Sequence, residues 1–201
     1  MNPFDFFHVS MTAFELVGVF LGLLYLRLEY KASIRLWPTG IVMSLFYIYI
    51  FLASKLYAVT GINVYYLLAS IYGWIRWRRS GNSGAAATVR RVPRGYAVRL
   101  LAAFAGCFAL LAWLLVRYTD SPVPFGDAFT TSLSIVAMWM LAQKYAEQWL
   151  LWLVVNGVSA GLYFGQALYP TAVLYAIYAV VAVFGYRKWV RDSKIQRFKD
   201  S

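Results

Sequence analysis

Of 201 residues only one is cysteine and one is histidine, and charged residues make up 13%. A single cysteine, Cys107, forms no intramolecular disulfide and no metal cluster. It stands in an apolar run, where a small packed side chain is the plain reading. The single histidine, His8, precedes the first apolar segment. A lone terminal histidine with no nucleophile beside it supplies no acid–base machinery. No phosphate-binding loop, ATP-binding domain or metal-spaced cluster is present. The first residues carry Asp5 and no basic stretch, so no cleavable signal peptide is expected.

What is abundant is apolar. Hydrophobic residues make up 62% of the chain, and mean hydropathy is +0.61. A water-soluble domain of this length cannot bury that much apolar side chain and still present a polar surface. An all-α integral membrane protein is predicted. About 20 apolar residues span the roughly 30 Å hydrocarbon layer. Seven runs qualify, near 11–28, 36–54, 57–75, 95–116, 126–143, 149–167 and 169–186. Charged or turn-forming stretches such as "RLEYK" and "TDSPVPFGD" bound them. The segment "RWRRSGNSGAAATVRRVPRG" (76–95) is basic and rich in small residues, and reads as a flexible linker.

Basic residues set orientation. With seven spans, the first, third and fifth loops share a side with the C-terminus. That side holds 17 of the 19 basic residues, leaving Lys55 and Arg117 for the other. The N-terminus is therefore expected outside and the C-terminus in the cytoplasm. The net charge of +11 is then a topology signal with some attraction to anionic lipid, and no nucleic-acid partner is expected.

The chain also resembles itself. At an offset of 115, Leu36-Trp37 falls on Leu151-Trp152, Ser44 on Ser159, and Glu15 near Thr130. At 112, Leu56-Tyr57 meets Leu168-Tyr169, Gly73 meets Gly185 and Trp77 meets Trp189, so that "YGWIRW" lies over "FGYRKW". The expected layout is 3+1+3 with parallel repeats: residues 1–75 as the first three-helix repeat, 76–94 as a basic cytoplasmic linker and 95–117 as a linking helix. Residues 126–189 form the second repeat and 190–201 a basic tail. Transporters use such repeats to place a substrate between halves near the midplane.

Polar residues within spans mark candidate sites, because hydrocarbon leaves them unsatisfied. Glu15 stands in the first span, near enough to its outer end to face either the site or the interface, Asn63 in the third, Thr130 in the fifth. In the sixth, Trp149, Trp152, Asn156, Ser159 and Tyr163 follow at spacings of 3, 4, 3 and 4, which is one face of a helix. Indole faces attract flat or cationic rings, and an amide reads hydrogen-bonding edges. A small flat ligand is expected there, and no cofactor.

The Trp-x-x-Trp-x-x-x-Asn pattern of "WLLWLVVN", with "SIYGWIRW" and "DAFTTSLSIVAMW", resembles the PnuC family of bacterial vitamin transporters, over nearly the whole chain. The resemblance implies a SWEET-like fold, a homotrimer in the inner membrane, and uptake of nicotinamide riboside, thiamine or riboflavin. It implies facilitation, made one-way by a cytoplasmic vitamin kinase. It assigns Trp149, Trp152 and Asn156 to the substrate, and Asn63 by a weaker match. On these grounds the chain is expected to be a nicotinamide riboside facilitator, with thiamine as the alternative cargo. A membrane scaffold or an intramembrane enzyme would instead tolerate loss of Trp152, or turn over a substrate without a kinase.

Overall fold

Seven helices are found among the described residues of the computed structural model, which are 17–18, 20–53, 57–79, 89–93 and 95–199. They are α1 (20–30), α2 (Leu36–Ala53), α3 (Tyr57–Arg79), α4 (Tyr96–Tyr118), α5 (Pro124–Ala142), α6 (Gln148–Gly165) and α7 (Tyr169–Lys199). Pro124 opens α5 at a position where a missing N–H costs nothing. Four of the helices are long and apolar enough to cross a membrane by length and composition: α2, α4, α5 and residues Thr171–Ile195 of α7.

Two boundaries differ from the sequence expectation. The third helix continues to Arg79 and the seventh to Lys199, so the first residues of the expected linker and most of the expected tail are helical. Arg and Lys are good helix formers, and their charges suit a helix C-terminus. Charge ends an apolar run without ending a helix.

The chain divides into two units, 1–87 and 88–201. In the first, α1 ends with Ala32 in the left-handed region (φ 49°). Ser33 N–H donates to the Leu28 carbonyl (2.9 Å) and Ala32 N–H to that of Glu29 (2.9 Å), which satisfies carbonyls the helix end leaves open. The next helix, α2, packs on α3. Trp37 and Trp77 are fully buried and meet edge to face, ring centroids 5.2 Å apart at 89°. Gly73 makes room for this, since a Cβ there would run into the Trp37 ring.

In the second unit α5 packs between α4 and α6, and α6 packs on α7. Phe104 and Phe108 of α4 meet Phe129 of α5 edge-on at 5.5 and 6.5 Å. The end of α5 repeats the α1 turn: Lys144 has φ 64°, Tyr145 N–H donates to Met140 (3.0 Å) and Lys144 N–H to Leu141 (2.9 Å). Trp149 and Trp189 are buried and edge to face at 6.0 Å and 84°. A Cβ on Gly185 would lie 2.6 Å from the Trp149 ring.

Each of these features recurs after 112 residues: Ala32 and Lys144, Trp37 and Trp149, Gly73 and Gly185, Trp77 and Trp189. These structural likenesses run at a spacing of 112 residues, against the offset of 115 expected for the first two helices. At that spacing Trp37 falls on Trp149 and Ser44 on Asn156, where the offset of 115 sets Trp152 and Ser159. The reason is steric: the tryptophan that needs a glycine opposite it is the one that seats there. The match of Glu15 with Thr130 lies outside the described residues, since Glu15 is not among them.

The basic segment 89–93 is docked, not free. Arg90 N–H donates to the Lys144 carbonyl (2.9 Å) and its own carbonyl accepts from Ala146 N–H (3.0 Å). Glu147 accepts from Arg91 Nε and from Val92 N–H (3.0 Å). The end of the third loop thus lies on the α5–α6 turn, on one side of the unit.

Candidate functional site

The expected α6 stripe forms, and its residues are not equivalent. Trp149 is 1% exposed, committed to the α6–α7 seam against Gly185 and Trp189. Trp152 is half-buried, while its indole N–H is enclosed. Asn156 and Ser159 are buried at mid-helix. Tyr163 lies tilted against Tyr175 of α7 (5.1 Å, 38°), which in turn meets Tyr178 (6.0 Å). One side of α6 is therefore an aromatic and polar seam whose far wall is α7.

The other wall is α5, and its hydroxyls are already used. Thr130 Oγ1 donates to the carbonyls of Gly126 (3.0 Å) and Asp127 (3.2 Å). Ser132 Oγ donates to Ala128 (2.6 Å) and Ser134 Oγ to Thr130 (2.8 Å). Each keeps acceptor lone pairs and no donor. A Cβ on Gly126 would lie 2.9 Å from Leu162 Cδ1, which sets the register of this antiparallel pair. Counting from there, Ser132 and not Thr130 comes level with Asn156. Ser132 is fully buried and was not singled out by the sequence, where a serine in a membrane helix reads as packing.

The indole N–H groups of Trp149 and Trp152 have no hydrogen-bond partner among the described residues. A buried donor left unmade costs about 1–3 kcal/mol, so two on one face of one helix demand an account. Trp37 of the first unit shares the property. For Trp149 and Trp37 the account is common: the ring is clamped edge-on to a second tryptophan over a glycine, and packing dictates where the N–H points. That account does not extend to Trp152.

Asn63 lies on α3 of the first unit and is 9% exposed. Its Nδ2 donates to the Val59 carbonyl (2.8 Å), which occupies one of its two N–H groups. Among the described residues no group of three or more His, Cys, Asp or Glu side chains is placed to hold a metal ion.

Residues 12–191 match the family described as nicotinamide mononucleotide transporter. The chain is 28% identical over 205 residues to the nicotinamide riboside transporter PnuC of Escherichia coli K12, covering 90% of this chain and 86% of that one. It is 29% identical over 178 residues to the riboflavin/roseoflavin transporter RibM of Streptomyces davaonensis, covering 87% and 83%. The crystal structure of a vitamin B3 transporter PnuC has the same fold, with a TM-score of 0.69 at 23% identity, covering 96% of this chain and 93% of that one. With a helical fold, lipid-length apolar segments and a family match over nearly its whole length, the chain belongs to the PnuC, or nicotinamide mononucleotide transporter, family of multi-pass membrane transporters.

Proposed function

We propose that the chain is a facilitator for uptake of nicotinamide riboside, with Trp152 and Asn156 of α6 as the residues that meet the ligand. The observation that carries this is the α6 stripe. A half-buried indole without a hydrogen-bond partner and a buried amide one turn away line one seam of a transporter fold. A pyridinium ring stacks on an indole face, and its carboxamide presents both donor and acceptor to an amide. Trp149, Tyr163 and Ser132 shape that seam, and the assignment of Thr130, Asn63 and Glu15 to the ligand rests on the sequence.

The architecture we propose is 3+1+3, with seven spans and α4 as the unpaired helix. Recurrence of turn, tryptophan pair and glycine seat at 112 residues supports a duplication. Alternating access by the two three-helix repeats is the mechanism such a layout suits. Docking of segment 89–93 on the α5–α6 turn agrees with the third and fifth loops sharing a face, and the basic residues there favour the cytoplasm. On this reading the N-terminus is outside a bacterial inner membrane and the protein is a homotrimer. A cytoplasmic vitamin kinase makes uptake one-way.

A second reading is flavin transport, favoured by the 29% identity to RibM, and thiamine is a third flat cargo. Isothermal titration of the purified protein with nicotinamide riboside, riboflavin and thiamine separates them. Binding of the riboside alone is expected. Binding of another vitamin alone would move the cargo and keep the site. Asn156→Leu is expected to abolish that binding while the protein stays folded, because leucine suits its apolar surroundings. Survival of binding would make the amide structural. Trp152→Ala is expected to weaken binding by about 1–2 kcal/mol, with Trp152→Phe recovering part.

A further inference from the structure

The spacing of 112 lets the two units be read position against position, and at one level they differ in concert. In the first unit the middle helix carries Gly40. A Cβ there would lie 2.8 Å from Ser70 Oγ and 3.0 Å from Tyr25 Cε2. A ring from α1 and a hydroxyl from α3 thus fill the space over the glycine. At the corresponding positions of the second unit stand Trp152 for Gly40, Ala137 for Tyr25 and Ala182 for Ser70. The ring has moved from the first helix of the triple to the middle one, and both neighbours have shrunk to alanine.

The register within the second unit agrees independently. Gly185 lies against Trp149, so one helical turn on, Ala182 comes level with Trp152. Gly126 lies against Leu162, and counting ten residues along both helices brings Val136 level with Trp152, one residue from Ala137. Ala137 is 0% exposed and Ala182 1%, so both methyl groups are packed against neighbours. Methyl groups offer no acceptor, which accounts for an enclosed indole N–H without a partner.

We infer that Ala137 and Ala182 form the seat of the Trp152 indole and act as positioning residues, setting the ring plane and hence which flat ligand the site accepts. The seat stands on packing alone; its consequence for selectivity rests on Trp152 meeting the ligand, as proposed above.

The test is size compensation in the full-length protein, read by melting temperature without ligand and by titration with nicotinamide riboside, riboflavin and thiamine. Ala137→Leu and Ala182→Leu overfill the seat and are expected to lower the melting temperature by roughly 5 °C. Adding Trp152→Phe, a smaller ring, is expected to restore about half of that loss or more. If the losses simply add, the alanines do not seat the ring and the inference fails. Ala137→Val is the milder variant for titration. It is expected to lower affinity for whichever vitamin binds at least tenfold, or to change the preferred vitamin. Unchanged affinity beside clear size compensation would overturn the positioning role and leave the proposed function resting on Asn156. Absence of binding in the unaltered protein would sink the proposed function, while the melting data would still judge the seat.

Discussion

Gly185 and Gly73 show how one hydrogen in place of a methyl sets the path of two helices. Each lies under a tryptophan that is clamped by a second tryptophan, and neither ring has anywhere to go. Gly185→Ala is expected to destabilise the protein by about 1–3 kcal/mol, the usual cost of overpacking, in a thermal melt. Gly185→Ala combined with Trp149→Phe should cost less than the two changes summed, because the smaller ring yields the space. Asn156 lies further along the same helix, and under the proposed function its substitution is expected to act on binding instead. Tryptophans at a helical spacing were legible as a stripe. That Trp149 serves the seam while Trp152 faces a different surrounding was not, because spacing tells the face of a helix and not what is packed against it.

At the scale of elements, the turns carry the strain. Ala32, Lys144 and Ala167 all hold positive φ without being glycine. Left-handed backbone costs an L-residue about 1–2 kcal/mol. Ala167, in the α6–α7 turn, is exposed, so its methyl contributes no packing. Ala167→Gly is therefore expected to stabilise by about 0.5–1 kcal/mol, measured as a rise in melting temperature. An unchanged or lowered value would place the balance in the unfolded chain, where glycine is freer. Elsewhere Glu147 fastens the segment 89–93. Its hydrogen bond to Arg91 holds that guanidinium further above its ordinary range, so the arginine stays charged at any working pH. Glu147→Gln is expected to raise amide hydrogen exchange at Val92 markedly while the global melt moves little, since exposed ion pairs contribute at most about 1 kcal/mol. Protection unchanged at Val92 would show that the backbone pairing with Lys144 and Ala146 suffices.

For the whole molecule, the exposed surface is what a membrane solvent explains. Phe20, Leu45, Leu68, Val98, Leu101, Trp113, Val173 and Phe184 are each at least half exposed, and they come from both units. In water so much apolar surface would drive association, whereas against acyl chains it costs nothing. A reporter fused after Ser201 is expected in the cytoplasm. A periplasmic signal would reverse the proposed orientation and with it the assignment of the basic loops.

Composition alone decided that this chain is helical and lives in a bilayer, because apolar length and scarce charge leave a soluble fold no way to cover itself. Six of the seven helices start within two residues of their expected position, and the seventh, α1, begins among residues only partly described. Their ends were less legible, since basic residues stop an apolar run while a helix continues through them to Arg79 and Lys199. Tertiary structure decided the register of the internal likeness. Matching of residue types favoured Trp152 as the partner of Trp37, and only the glycine beneath each ring identifies Trp149. It decided too that Ser132 stands level with Asn156. Such relations rest on packing and not on letters, so they become visible only once the neighbours of each side chain are known.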